Sequence, residues 1–333
     1  MKKGLSKGAV KLLVTFAAAV LAATIIIHHN PLADQQEELV KKVAACLIIV
    51  GALAIFYRFY DRLVTLPVEL WQSRALIWKL AKNDFKNRYA GSYLGRVWAF
   101  TQPVVTVLLY WFVFGHLMMA DKKEVLTAGV EAPYVLWLTA GLVPWFYFSE
   151  AFSNGTTSLL EYSYLVKKVV FKISIIPIVK LIAASFIHIF FVGFMLVVYF
   201  CYGYKPDIYL LQLIYFSFCL FMLVLALSYA TCAIAVFFRD LMQIINICLQ
   251  IGMWATPILW NISMLDNEPV LQWIIKCNPI FYVVNGYRDA MFTKTWFWQD
   301  FYSTAYFWIV TVVLFGLGAL IFRRLKVHFA DVL

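Results

Sequence analysis

Apolar runs separated by short polar connections organise this chain, at residues 9–27, 43–59, 97–119, 134–153, 175–199, 208–238, 241–260 and 302–321. None of them alternates between apolar and polar positions, and each is apolar on every face. A helix closes its own backbone hydrogen bonds in hydrocarbon, whereas a spanning strand needs a closed barrel and a period of two. The pattern therefore predicts an all-α, polytopic helical membrane protein. The lengths agree, since roughly 20 apolar helical residues cross a hydrocarbon core about 30 Å thick. The run at 9–27 follows Lys2, Lys3 and Lys7 as a signal peptide would. It is long for such a segment, however, and the HHNPLADQQEELVKK that follows has no small-residue cleavage site. Residues 1–62 are accordingly read as an N-terminal transmembrane hairpin.

Two connections depart from the simple pattern. In residues 63–96 the apolar positions Trp71, Ala75, Trp78, Phe85 and Tyr89 recur at helical spacing, with Lys79, Lys82, Asn83 and Lys86 on the other side. Such a basic amphipathic helix lies in the headgroup plane, and Gly91 and Gly95 let the chain turn from that plane into the bilayer. Plain anchoring and the binding of a partner or substrate both remain open for it. The second departure is at about 261–300, too long for a turn and too apolar for an exposed loop. Leu271, Trp273, Ile274, Ile275, Ile280, Phe281, Tyr282, Val283 and Val284 flank Asn278 and Pro279, which break a helix. This predicts two short helices, either dipping into the outer leaflet as a re-entrant hairpin or lying flat at the interface. Residues 97–333 would form a core of six spans that includes this segment.

Composition supports the membrane reading. Of 333 residues, 63% are hydrophobic and 14% charged, against roughly 45–50% apolar and about 25% charged in ordinary globular domains. Charge adds an orientation. With both termini in the cytoplasm, the inner segments hold most of the cations, among them Arg62, Arg74, Lys79, Lys82, Lys86, Arg88, Arg96, Lys167, Lys168, Lys172, Arg239, Arg323, Arg324 and Lys326. The outer segments hold Lys41, Lys42, Lys122, Lys123, Lys205, Lys276, Arg288 and Lys294 among a larger number of acids, as the positive-inside rule requires. Cys46, Cys219, Cys232 and Cys248 fall within spans without metal-ligand spacing, so no metal site is expected; a Cys201–Cys277 disulfide on the outer side stays open. No segment fits G-x-x-x-x-G-K-[ST], so the chain has no nucleotide cradle of its own and any energy must come from a partner.

The series RYAGSYLGRVWAFTQPVV, GLVPWFYFSEAFSNG, YLVKKVVF, FFRDLMQIINICLQIGMWATPILW and CNPIFYVVNGYRDAMF resembles, in order and spacing, the membrane subunit of ABC-type polysaccharide exporters, which move O-antigen, capsule or teichoic acid polymers. The resemblance covers about residues 67–333. It implies a six-span type-2 ABC exporter half-transporter in a bacterial inner membrane, pairing with a second copy. It also implies two separate ATPase subunits that bind ATP and Mg, and a lipid-linked polysaccharide as cargo; no nucleic acid is involved. Two departures stand out: the N-terminal hairpin, and Lys172 where the family often has proline.

Candidate site residues follow. By the resemblance, the loop TTSLLEYSYLVKKVVFK, with Glu161, Tyr164, Lys167 and Lys168, looks like the coupling helix that docks on the ATPase, with Lys79 and Lys82 completing that surface; a solvated basic loop is the bland alternative. For the cargo, Arg88 and Arg96 offer guanidinium forks to a lipid diphosphate, or simply attract anionic lipid. Trp98, Tyr110, Trp145, Tyr147 and Trp254 offer aromatic faces to sugar rings, or belong to interfacial belts. Glu150 faces either a water-filled cavity or the headgroups, and Arg239 with Asp240 is read as fixing an inner turn. Two rival functions are weaker: a permease for a drug or small lipid, and an integral-membrane transferase. The transferase needs convergent carboxylates or histidines, whereas His28, His29, His116, His188 and His328 are scattered along the chain.

Overall fold

A computed structural model describes residues 7–27, 35–88, 97–110, 112–113, 124–125, 130–166 and 172–332. In chain order the helices are α1 (Lys7–Ile27), α2 (Gln35–Arg58), α3 (Tyr60–Leu63), α4 (Thr65–Gln72), α5 (Arg74–Asn87), α6 (Trp98–Tyr110), α7 (Tyr134–Glu161), α8 (Ser163–Val166), α9 (Ile176–Cys201), α10 (Gln212–Ala235), α11 (Leu241–Ala255), α12 (Pro269–Lys276), α13 (Pro279–Arg288), α14 (Phe301–Leu325) and α15 (Phe329–Val332). The strands are a two-residue ladder, β1 (Glu124–Val125) antiparallel to β2 (Glu131–Ala132), with Glu124 opposite Ala132. The protein is thus a helical bundle.

Among the described residues, five helical stretches are long and apolar enough to cross a membrane: Gly8–Ile27, Tyr134–Glu161, Ile173–Cys201, Ile208–Ala235 and Phe301–His328. The remaining predicted runs differ for local reasons. The helix from 241 stops at Ala255 because Pro257 forces the residue before it out of the helical region, and Thr256 is extended at φ −81°, ψ 136°. The run at 97–119 is described as α6 to Tyr110 and at 112–113; its other residues lie outside the described ones.

Helices α7, α9, α10 and α14 form the core, with α13 wedged against α7, α10 and α14. Helix α7 is the most enclosed, burying Leu136, Trp137, Leu138, Leu142, Trp145 and Phe148. Gly155 makes its crossing with α10 possible: a Cβ there would lie 2.3 Å from Ser228 Oγ and 3.0 Å from Leu181 Cδ1. Glycine allows backbones to approach this closely, and membrane helices depend on such approaches because lipid supplies no hydrophobic drive. By contrast α1 buries little, with Leu12, Leu13, Phe16 and Val20 exposed. It packs on α2, where Thr15 Oγ1 meets Tyr57 OH at 2.6 Å and Lys42 Nζ donates to Ile26 O at 3.1 Å.

Residues 261–300 hold α12 and α13, parted at Cys277 and Asn278. Asn278 caps α13 by accepting from the Ile280 amide, and donates to Thr256 Oγ1 at 3.0 Å; Pro279 takes the first helical turn, where no amide is needed. The two helices have different surroundings. α12 buries no residue, while α13 buries Tyr282, Val283, Val284, Tyr287 and Arg288. All six cysteines are free, so Cys201 and Cys277 are not bridged.

Candidate functional site

A dense charged cluster lies at the end of the bundle that carries α5. The face of α5 that packs on α9 is Ile77, Ala81 and Asp84, against Ile175 and Val179. Of the apolar stripe in the sequence pattern, Trp71 and Ala75 are exposed, while the rings of Trp78 and Phe85 both meet Phe186 of α9 edge-on, at 5.4 and 5.6 Å. Burying Asp84 on a basic helix requires a partner, and Lys180 of α9 supplies it. Its ammonium donates to Asp84 Oδ1 at 2.7 Å and to Glu161 Oε2 at 2.7 Å. Tyr162 also donates to Asp84 Oδ1, its ring 4.9 Å from the same ammonium. Burial first, and then the Asp84 carboxylate, push the Tyr162 pKa upward, so the hydroxyl remains a donor. Thr157 donates to Glu161 Oε1 at 2.6 Å, which orients the third charge.

Asp84, Glu161, Tyr162 and Lys180 line a cleft of about 530 Å³ together with Asn87, Arg88, Glu150 and Asn154. Arg88, at the end of α5, is ion-paired with Glu150 on α7. Asp84 Oδ2 and Asn154 Nδ2 are buried without a hydrogen-bond partner among the described residues. The cleft lining thus sets Asp84, Glu150 and Glu161 against Arg88 and Lys180, an arrangement that ties α5, α7 and α9 together through charges. An exposed ion pair contributes little, but Asp84 and Lys180 are 7% and 8% exposed, and a pair so enclosed holds its geometry firmly because either charge alone is costly.

The other predicted residues scatter. Lys79 and Lys82 are exposed on α5, Lys82 lying 5.2 Å over the Trp78 ring, and Tyr164 is exposed on α8. Lys167, Lys168 and Arg96 lie outside the described residues. Trp98 is exposed at the start of α6 and Tyr110 half-buried at its end. Trp145 is buried, and a Cβ at Gly252 of α11 would touch its ring. Tyr147 is buried too, its hydroxyl 3.0 Å from Ser185 Oγ and its ring 4.7 Å from that of His188. Trp254 is exposed on α11. Arg239 and Asp240 are both exposed, and the turn between α10 and α11 is held instead by backbone bonds such as Gln243 N to Asp240 O at 3.0 Å. Adjacent side chains in a turn diverge, so sequence proximity did not make them a pair.

Sequence reasoning missed Asp84, Lys180 and Tyr162, and a signal existed for one of them. Lys180 interrupts an otherwise apolar run, and a cation at such a position requires a partner. It also missed the role of Arg288, which is buried in the core at the opposite end of α7.

Helices of this length and apolarity, packed through small-residue crossings around a buried ion pair, define a multi-pass helical membrane protein. Residues 75–292 match the family described as ABC-2 type transporter, and the chain belongs to that family as its membrane-embedded permease component. Among its relatives is the O-antigen export system permease protein RfbA of Klebsiella pneumoniae, 27% identical over 257 residues that cover 76% of this chain and 93% of the relative. The protein of the same name from Myxococcus xanthus is 26% identical over 277 residues, covering 81% of this chain and 99% of its own length. The N-terminal hairpin precedes the matched region.

Proposed function

We propose that this chain is the membrane subunit of an ATP-driven exporter that moves a lipid-linked polysaccharide across the bacterial cytoplasmic membrane. In this reading it pairs with a second copy, and two separate ATPase subunits bind ATP and Mg and dock on the cytoplasmic face. The relatives' printed role in O-antigen export supports the cargo class. The observation that carries the mechanism is the bridge from Lys180 to Asp84 and Glu161. It joins the amphipathic helix to the segment 161–168 that would meet the ATPase and to span α9, so a push on that segment turns the spans as a unit. Lys167, Lys168, Lys79 and Lys82 supply the cationic docking surface, and both termini share that side.

In the same reading Arg88 and Arg96 stand where a lipid diphosphate would arrive, with Trp98, Tyr110 and Trp254 along the route. Glu150 competes with phosphate for Arg88, so cargo binding there opens the pair rather than filling an empty site.

Co-purification with a candidate ATPase tests the proposal. ATP hydrolysis by the complex, stimulated by the lipid-linked polymer and absent from the isolated chain, is the expected result. Hydrolysis by this chain alone, or labelling of Lys167 and Lys168 from outside the cell, would overturn it. Lys180→Met, which removes the cation from both carboxylates, should abolish polymer-stimulated hydrolysis, whereas Lys180→Arg should keep part of it.

A further inference from the structure

A second cavity, of about 280 Å³, lies between α4, the turn Ile173–Ile175 ahead of α9 and the last turns of α14. Helix α4 gives it Leu66 and Glu69, the turn gives Ser174, and the far end of the chain gives Phe322, Arg323 and Lys326. Two of the candidate spans, Ile173–Cys201 and Phe301–His328, begin and end here. Leu66 and Glu69 precede the matched residues 75–292 and Arg323 and Lys326 follow them, so most of the site is built outside the shared region. The N-terminal segment also braces it: α3 packs on α14, and Arg323 Nη1 donates to Asp61 O at 2.8 Å. Glu69 and Lys326 are both half-buried. Lys326 Nζ donates to Ser174 Oγ at 3.3 Å, and among the described residues neither Lys326 nor Glu69 has an ion-pair partner. Opposite charges that share a cavity without meeting leave room for a ligand between them, and half-enclosed charges are costly until they are paired.

We propose that this cavity holds the headgroup of a phosphatidylethanolamine, its phosphate on Lys326 and Arg323 and its ammonium on Glu69. The assignment stands apart from the export reading, because it needs only that the two spans cross the membrane. A bare phosphate would satisfy Lys326 but leave Glu69 facing a like charge. A metal cation would satisfy Glu69 but be repelled by Lys326 and Arg323. A ligand that carries both signs answers the whole lining. Its position makes that ligand a lipid: the ends of spans lie at the depth of the headgroups, and the buried Leu66 and Phe322 give an apolar floor beside the charges for the glycerol and the start of the acyl chains. The amine selects among phospholipids. Ethanolamine brings N–H donors for a charge-assisted hydrogen bond to the Glu69 carboxylate, a choline ammonium has no N–H, and a glycerol headgroup has no positive charge.

Thermal unfolding of the purified full chain in detergent, titrated with the dioctanoyl forms of phosphatidylethanolamine, phosphatidylcholine and phosphatidylglycerol, reads the affinity for each lipid. The ethanolamine lipid should bind about ten-fold more tightly than either of the others, as one charge-assisted hydrogen bond would give. Glu69→Gln should bring it down to the level of the choline lipid. Lys326→Met should weaken all three by about ten-fold, and Lys326→Arg should keep most of the binding. Equal affinity for the three lipids in the wild-type chain overturns the proposal, and that comparison needs no variant to fold. Tightest binding of the glycerol lipid overturns it too, since the site would then take an anion alone, and so does an ethanolamine preference that survives Glu69→Gln. O-phosphoethanolamine, the same headgroup without acyl chains, should not raise the melting temperature at concentrations where the lipid does; an equal rise would make the ligand a soluble zwitterion and overturn the lipid assignment.

Discussion

The Arg288 guanidinium lies against the Trp137 ring, 3.4 Å from its centroid, and donates to Trp137 O at 3.4 Å, Pro257 O at 2.6 Å and Ile258 O at 3.0 Å. One buried side chain of α13 therefore satisfies carbonyls that α11 leaves behind where Pro257 ends it, and fixes both to α7. An arginine suits this position because its planar fork serves several acceptors while its face stacks on an indole. Arg288→Met should cost at least about 3 kcal/mol, since several buried carbonyls lose their donor. Arg288→Lys should recover only part of that loss. Thermal unfolding of the purified protein in detergent reads both.

The Lys180–Asp84 pair should behave as an enclosed ion pair. Lys180→Met strands the Asp84 carboxylate and should destabilise by about 3–5 kcal/mol. Lys180→Met with Asp84→Leu should cost less than the sum of the single changes, because the stranded charge is gone. Urea or thermal unfolding of the four proteins completes the cycle, and additive losses would show that the pair is not coupled.

Gly155 provides a steric test of the core. Gly155→Ala pushes a methyl into Ser228 and Leu181 and should cost about 1–3 kcal/mol. Gly193→Ala is the control: a Cβ there has nothing within 4 Å, and on an exposed helix face alanine should be neutral or slightly stabilising by its higher helix propensity.

A pH-dependent contribution is expected at the opposite end of the bundle. Lys294 Nζ lies 2.9 Å from Asp207 Oδ2, and its hydrogen bond, the largest influence, lowers the Asp207 pKa. A carboxyl depressed in the folded state adds stability above its unfolded pKa and loses it as pH falls through the folded value. Asp207→Asn should therefore lower the melting temperature slightly at neutral pH, and the difference from wild type should vanish on acidification below the ordinary carboxylate range. A difference that grew on acidification would contradict the assigned sign.

Much of the helical architecture was legible because it follows from local chemistry. Apolar runs force helices in hydrocarbon, and Asn278 with Pro279 parts α12 from α13 by cap and first-turn preference; the stop of α11 at Ala255, before Pro257, was not read, and the run was carried on to 260. The candidate site was only partly legible. Glu161 was read from the sequence as a surface group for an ATPase, and the fold shows it bonded to Lys180, whose position 19 residues later no spacing rule connects to it. Arg88 and Glu150 were each singled out, but for separate roles, and they meet as a pair.

The sequence by itself determined that this chain is a helical membrane protein, because the backbone's need for internal hydrogen bonds in lipid depends only on the order of apolar residues. Tertiary structure decided which charges share a partner. It buried Ile77, Ala81 and Asp84 on the α9 side of α5 beside Trp78 and Phe85, and brought Arg288 onto Trp137 across 151 positions of chain. The physical reason is that ion pairing and cation–π contact act over a few ångströms of space, and the distance along the chain does not enter them.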